Sequence, residues 1–207
     1  MLHTKTKKPL LLETIKIEDG FVYNLPYHQQ RCTRSREILY GCTDIINLQN
    51  IILPPDKGLY RCRILYHTKI QSIEYIPYTP KEIHKLKIVP SSIEYDLKYA
   101  DRKNLDTLLD HHEDFDEIII EKEGYLRDTT ISNIAFHDGE KWITPKKPLL
   151  KGTMREKLLD EGFLYPVNIK KENLHTYTQV ALINAMVGFK PLNNVYIEDT
   201  KGKTYDY

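Results

Sequence analysis

Hydrophobic and polar positions alternate from the start of the chain. Leu10–Ile17 and Phe21–Leu25 read as two strands around Glu18-Asp19-Gly20, the pattern of a hairpin with its turn at the glycine. His28–Tyr40 runs without a breaker and stops at Gly41, which predicts a helix ending on a glycine. Leu59–Tyr66 and Ile70–Ile76 are apolar and β-branched and predict two more strands. Pro77-Tyr78-Thr79-Pro80 then interrupts the pattern, since two prolines three apart suit neither a helix interior nor a central strand. A boundary is expected there, with subdomains at 1–80 and 81–207. Beyond it, Leu86–Val89 predicts a short strand and Leu105–His112 a short helix. Glu117–Lys122, Ile134–His137 and Lys141–Ile143 predict strands, the last two joined at Asp138-Gly139. Thr153–Glu161 has capping-box spacing from Thr153 to Glu156 and a glycine stop at Gly162. Val180–Asn184 is a compact apolar strand. Strands and helices intermix in both halves, an α/β (α+β) pattern with strands in the majority and no internal repeat.

Composition narrows the picture only modestly. At 207 residues the chain fits one large domain or two small ones. Thirty Lys and Arg stand against 29 Asp and Glu, so charge gives no argument for nucleic acid or an anionic membrane. The basic run Lys5, Lys7, Lys8 is short and reads as a frayed end. No apolar stretch approaches the roughly 20 residues of a membrane span, and residues 1–9 lack the apolar region of a signal peptide. Three cysteines, Cys32, Cys42 and Cys62, form no Cys-x-x-Cys pair; a reducing, cytoplasmic setting is expected. Fifteen tyrosines are a compositional bias and carry no functional weight here.

The chemistry concentrates between Leu97 and Asn133, with echoes at Leu150–Arg155 and Ile183–Leu192. Lys98 follows an extended segment and precedes a predicted helix, a place that would project an amine into a cleft. Asp128 follows Gly124 and precedes Thr129, Thr130 and Ser132. Leu150-Lys151-Gly152-Thr153-Met154-Arg155 sets a glycine and a hydroxyl residue at a predicted helix start, where backbone N–H groups favour a phosphate. Arg31 would add a bidentate, charge-assisted contact. An amine, an acid and an anion site are what pyridoxal phosphate requires of a protein. Each piece also has a plainer reading: a solvated Lys98 or Arg31, an Asp128 bonded to its own backbone, a capping box that accounts for Thr153 and Glu156. His111-His112-Glu113-Asp114 lacks metal-ligand spacing, so no metal is expected.

Taken in order, these segments resemble the class IV aminotransferases, the fold-type IV pyridoxal-phosphate enzymes. Lys98-x-x-x-Arg102 is similar to the lysine motif of the aminodeoxychorismate lyase subgroup. Asp116-Glu117 with Gly124-x-x-x-Asp128-x-x-x-x-Asn133 is similar to the strand-turn-strand core. Thr144-Pro145 with Leu150-x-Gly152-x-x-Arg155 is similar to the phosphate loop, and Asn184-Ala185-Met186 with Pro191-Leu192 to the late segment of the lyases. Glu13-Thr14, Asp19-Gly20 and His28-x-x-Arg31 with Ser35 echo the first domain. The resemblance spans residues 12–192.

It implies a two-subdomain D-amino-acid aminotransferase-like fold with the cofactor between subdomains, and a homodimer acting on a small molecule. It makes Lys98 the cofactor-bearing, catalytic lysine and Asp128 the partner of the ring nitrogen. Arg31, Thr153, Met154, Asn184 and Ala185 would surround the phosphate, and Arg102 would stand near the phenolic oxygen. Two departures are visible: Asp128 replaces the family's usual Glu, and the chain begins near Glu13-Thr14 of the pattern. The implied activity is conversion of 4-amino-4-deoxychorismate to 4-aminobenzoate and pyruvate for folate synthesis. Amino-acid transamination and a non-catalytic relative are the alternatives.

Overall fold

The computed structural model describes residues 8–207; Lys5, Lys7 and most of the stretch read for a signal peptide lie outside the described residues. The chain forms two compact units. One is the part up to Tyr78 together with Leu97–Asp101, and the other is Thr79–Asp96 together with Arg102–Tyr207. Among the described residues no helix is long and apolar enough to cross a membrane.

The first unit is built on Leu11–Glu18 (β1), Phe21–Val22 (β2), Leu59–Tyr66 (β3) and Ile70–Pro77 (β4), an antiparallel sheet in the order β2-β1-β3-β4. Alternation along β1 sends Leu11, Ile15 and Ile17 inward, where they meet Cys62, Ile64 and Tyr66. The predicted hairpin turn is present, with Asp19 and Gly20 at φ 48° and 80°. The strand after it is shorter than expected because Leu25–Tyr40 (α1) already begins at Leu25. Pro26 lies in its first turn, where a fixed φ suits a helix start. The helix stops where predicted: Gly41, at φ 70°, returns its N–H to the Arg36 and Glu37 carbonyls. The buried face of α1 is mostly polar, comprising His28, Cys32, Ser35 and Arg36. The terminal nitrogens of Arg36 donate to the Asp44 carboxylate and to the Asp44 and Thr68 carbonyls. A short helix, Leu48–Ile51 (α2), closes the end of this core. Leu97–Asp101 lies beside β1: Leu12 donates its N–H to the Lys98 carbonyl and Ala100 to that of Leu10, each at 2.9 Å.

The second unit contains Lys85–Pro90 (β5), Lys103–Asp110 (α3), Glu117–Lys122 (β6), Tyr125–Thr129 (β7), Asn133–His137 (β8), Trp142–Pro145 (β9), Thr153–Asp160 (α4) and Leu164–Val167 (β10). Gln179–Asn184 (β11), Gly188–Pro191 (β12), Tyr196–Glu198 (β13) and Thr204–Asp206 (β14) complete it. Its mixed sheet runs β10-β9-β8-β7-β6-β5-β13-β14, with β11 joined to β8 and β12 to β11. Successive residues of β8 and β11 face opposite cores. Ile134, Phe136, Val180 and Leu182 pack with Leu86, Ile88, Ile119 and Ile197. Ala135, Ala181 and Ile183 pack with Leu158 of α4 and Leu164. One local expectation fails: Thr153 is not a side-chain cap. Gly152 occupies the N-cap in extended backbone with no side-chain cap bond, and Glu156 pairs with Arg155 at 2.6 Å.

Candidate active site

The first unit gathers Glu13, His28, Arg31 and Lys98. Glu13 occupies the inward register of β1, between Leu11 and Ile15, and is fully buried. A carboxylate in that register needs partners, and α1 supplies them from one face at i and i+3. His28 Nδ1 donates to Glu13 Oε2 at 2.6 Å, while Arg31 donates Nε to Oε1 at 2.9 Å and Nη2 to Oε2 at 2.5 Å. Burial alone would raise the Glu13 pKa, but the Arg31 charge and the His28 and Arg31 hydrogen bonds outweigh it and hold it at about 2. His28 is pushed down, first by burial and further by the Arg31 and Lys98 charges, against the pull of Glu13. It is therefore a neutral imidazole whose Nδ1 carries the proton, because the carboxylate can only accept. Lys98 is half-buried on the segment paired with β1.

The second unit gathers the rest into one hydrogen-bonded cluster. Asp128, near the end of β7, is buried. It accepts from Asn133 Nδ2 at 2.8 Å and from the Leu150 N–H at 2.9 Å. Its partners are thus an amide five residues on and a distant loop, not its own backbone. Burial raises its pKa to about 6 against the pull of those two bonds, of Arg155 and of the Leu149 backbone. The Arg155 guanidinium is engaged elsewhere, with Glu156 and the Pro145 carbonyl.

Asn133 ties this acid to the start of α4. Its second amide hydrogen goes to the Leu150 carbonyl, and a Cβ on Gly152 would lie 2.1 Å from its Oδ1. Only glycine allows that approach. Thr153 is buried at the first position of α4, and Met154 packs partly buried beneath the helix. Asn184 caps the turn around Ala185: Oδ1 accepts the Met186 and Val187 N–H groups, each at 2.9 Å, and Nδ2 donates to Ser132 Oγ. Arg102 precedes α3 and donates to the Thr130 carbonyl at 2.9 Å, while Thr130 Oγ1 donates to buried Glu117. Glu117 is raised by burial against its hydrogen bonds.

These groups fit pyridoxal phosphate. A buried acid short of positive charge suits a protonated ring nitrogen. A helix start that carries no side-chain cap, entered through a glycine that tolerates no Cβ, suits a phosphate. Glu156, in the first turn of α4, has its charge offset by Arg155. Sequence reasoning gave Glu13, His28, Ser132 and Glu117 no individual role. For Glu13 the signal was available, a carboxylate on the apolar register of β1; Ser132 and Glu117 depend on contacts made only by the fold.

Comparison with known proteins supplies the wider setting. A family model described as "Amino-transferase class IV" matches residues 10–195. An uncharacterized protein of Haemophilus influenzae is 40% identical over 184 residues, covering 86% of this chain and 98% of that protein. A Schizosaccharomyces pombe protein named "Putative aminodeoxychorismate lyase" is 29% identical over 84% of this chain and 85% of its own length. A solved Haemophilus somnus structure, described as "a putative 4-amino-4-deoxychorismate lyase", superimposes with a TM-score of 0.82 at 38% identity over 88% of this chain and 99% of that one.

Proposed function

The chain belongs to the class IV aminotransferase family, which depends on pyridoxal phosphate, and on that premise we propose that it is an aminodeoxychorismate lyase. It would convert 4-amino-4-deoxychorismate to 4-aminobenzoate and pyruvate, toward folates. The observation that carries the cofactor assignment is Asp128: a buried carboxylate that accepts from Asn133 and Leu150, forms no ion pair among the described residues, and is linked through Asn133 to the start of α4. The resemblance to the S. pombe and H. somnus proteins, with Lys98-x-x-x-Arg102 and Asn184-Ala185-Met186, supports the lyase over an amino-acid aminotransferase.

When bound, the cofactor supplies an aldehyde that captures amines and a ring that accepts electrons from the amine-bearing carbon. Lys98 provides the amine that holds the cofactor and then moves the proton at that carbon. Asp128 keeps the ring nitrogen protonated. Arg31 and the backbone at Thr153, Met154 and Ala185 take the phosphate, and Asn184 fixes the Ala185 turn. Arg102, braced on the Thr130 carbonyl, is assigned to the phenolic oxygen. We also read the protein as a homodimer, since Phe21, Ile38, Ile45 and Leu53 are exposed on the first unit; light scattering after gel filtration tests it.

The deciding experiment is the absorbance spectrum with pyridoxal phosphate before and after borohydride, followed by peptide mapping. Cofactor fixed on Lys98, and loss of turnover in Lys98→Ala, are expected; fixation on scattered lysines would favour a non-catalytic relative. Release of 4-aminobenzoate without a keto acid supports the lyase. Keto-acid-dependent amino transfer in its place would reassign the enzyme as an aminotransferase.

A further inference from the structure

Glu117 opens β6 and is buried, on a strand whose next three residues are isoleucines. A carboxylate there needs donors. One is the N–H of its neighbour Ile118, 2.9 Å from Oε1. The others all come from Thr130, which gives its N–H to Oε1 at 3.2 Å and sets its hydroxyl 2.9 Å from Oε1 and 2.8 Å from Oε2. The ladder between β6 and β7 ends at Ile119 and Thr129, so the Glu117 side chain takes over where main-chain pairing stops. The rest of the turn is held without it. Thr129 Oγ1 accepts the Ile131 and Ser132 N–H groups, and Ser132 Oγ accepts from Asn184.

The remaining polar atom of Thr130 is its carbonyl, and Arg102 Nη2 donates to it at 2.9 Å. The same Nη2 lies 3.3 Å from the exposed carboxylate of Asp106, one helical turn on. The Thr130 carbonyl therefore holds the guanidinium against a swing toward Asp106 and solvent. Glu117, Thr130, Arg102 and Asp106 all belong to the second unit.

We propose that Glu117 is a positioning residue for Arg102. By gripping the N–H and hydroxyl of Thr130 it sets the carbonyl on which the guanidinium rests, and so aims Arg102 at the phenolic oxygen of the cofactor. This rests on the reading of Arg102 as the contact to that oxygen. Shape rather than charge carries the role. Glutamine can keep every one of these bonds, with Oε1 accepting the two N–H groups and Nε2 donating to the Thr130 hydroxyl.

The quantity to measure is the pH midpoint at which the absorbance of the bound cofactor changes in the holoenzyme. A cation beside the phenolic oxygen favours its ionised form and lowers that midpoint, so Arg102→Ala should raise it by about one pH unit. Glu117→Ala should also raise it, by a smaller amount, although loss of a negative charge alone would lower it. Glu117→Gln should return it to the wild-type value or below, and Glu117→Ala should add nothing once Arg102 is alanine. If Arg102→Ala raises the midpoint but Glu117→Ala leaves it unchanged or lowers it, the positioning role alone is overturned. A further rise in the double variant, or a glutamine that behaves as alanine does, overturns it equally. An unchanged midpoint in Arg102→Ala overturns the reading of Arg102, and this inference with it. Should Glu117→Ala not fold, Thr130→Val removes the gripped hydroxyl at nearly the same shape. It should raise the midpoint, and a wild-type value there sinks the proposal.

Discussion

Two carboxylates, one in each unit, are both buried and behave in opposite ways. Glu13 is met by an arginine and a histidine and is held at about 2. Asp128 is met by an amide and a main-chain N–H and rises to about 6. Burial opposes ionisation in both, so the difference lies in whether a cation is bonded to the carboxylate: Arg31 is bonded to Glu13, whereas Arg155 acts on Asp128 through its charge alone. Glu13 belongs to a charge set that is closed within its own unit. Asp128 is left open, and an open buried acid is a place where a ligand's positive charge can be worth more than it would be in water.

The largest expected effect lies on the open side. Asp128→Asn should lower kcat/KM for 4-aminobenzoate release by roughly two to three orders of magnitude, the usual loss for a preorganised electrostatic group. Retained activity in that variant would remove the contrast between the two acids. On the closed side the effect is on stability. Glu13→Gln leaves a cation without its counter-ion and should cost roughly 3 kcal/mol in urea unfolding.

The same contrast predicts opposite pH slopes for the cofactor-free protein. Glu13 is depressed from 4.5 to about 2, so its stabilisation is present above pH 4.5 and fades as pH falls toward 2. Asp128 is raised from 3.8 to about 6, so its contribution is full below pH 4 and lost as pH rises through 6. Each amounts to about 3 kcal/mol. Thermal melts across pH should lose the upper slope in Asp128→Asn and the lower one in Glu13→Gln; the reverse assignment would break the argument. The smallest effect belongs to Gly152→Ala. Its Cβ must displace Asn133, whose Oδ1 would lie 2.1 Å away. Cofactor affinity should fall about tenfold, ~1.4 kcal/mol, with little change in the melting of the first unit.

The closed site followed from local pattern alone, although the sequence reading gave Glu13 and His28 no role, whereas the open one did not. The alternation that places Leu11, Ile15 and Ile17 inward also places Glu13 inward, and His28 and Arg31 share a helix face by simple spacing. Asp128 and Asn133 were visible as a pair, but Leu150 donates to Asp128 across 22 positions, and no local pattern encodes that bond. Local signals also misled. Thr153 and Glu156 have the spacing of a capping box, yet Arg155 claims Glu156 and Gly152 starts the helix. The start of α1 was read three residues late, because Leu25 continued an apolar run and concealed the helix-starting role of Pro26.

The pairing of Leu97–Asp101 with β1 sets an order on synthesis. The chain passes from one unit to the other at three places, and Leu12 waits for the carbonyl of Lys98, the residue assigned to hold the cofactor. A nascent chain that has emerged only as far as Tyr78 therefore has β3 on one edge of the start of β1 and nothing yet on the other. At ribosomal rates the delay is on the order of seconds, during which that edge is open to strangers. The lysine that would make the enzyme active is thus carried on the segment that closes its first unit.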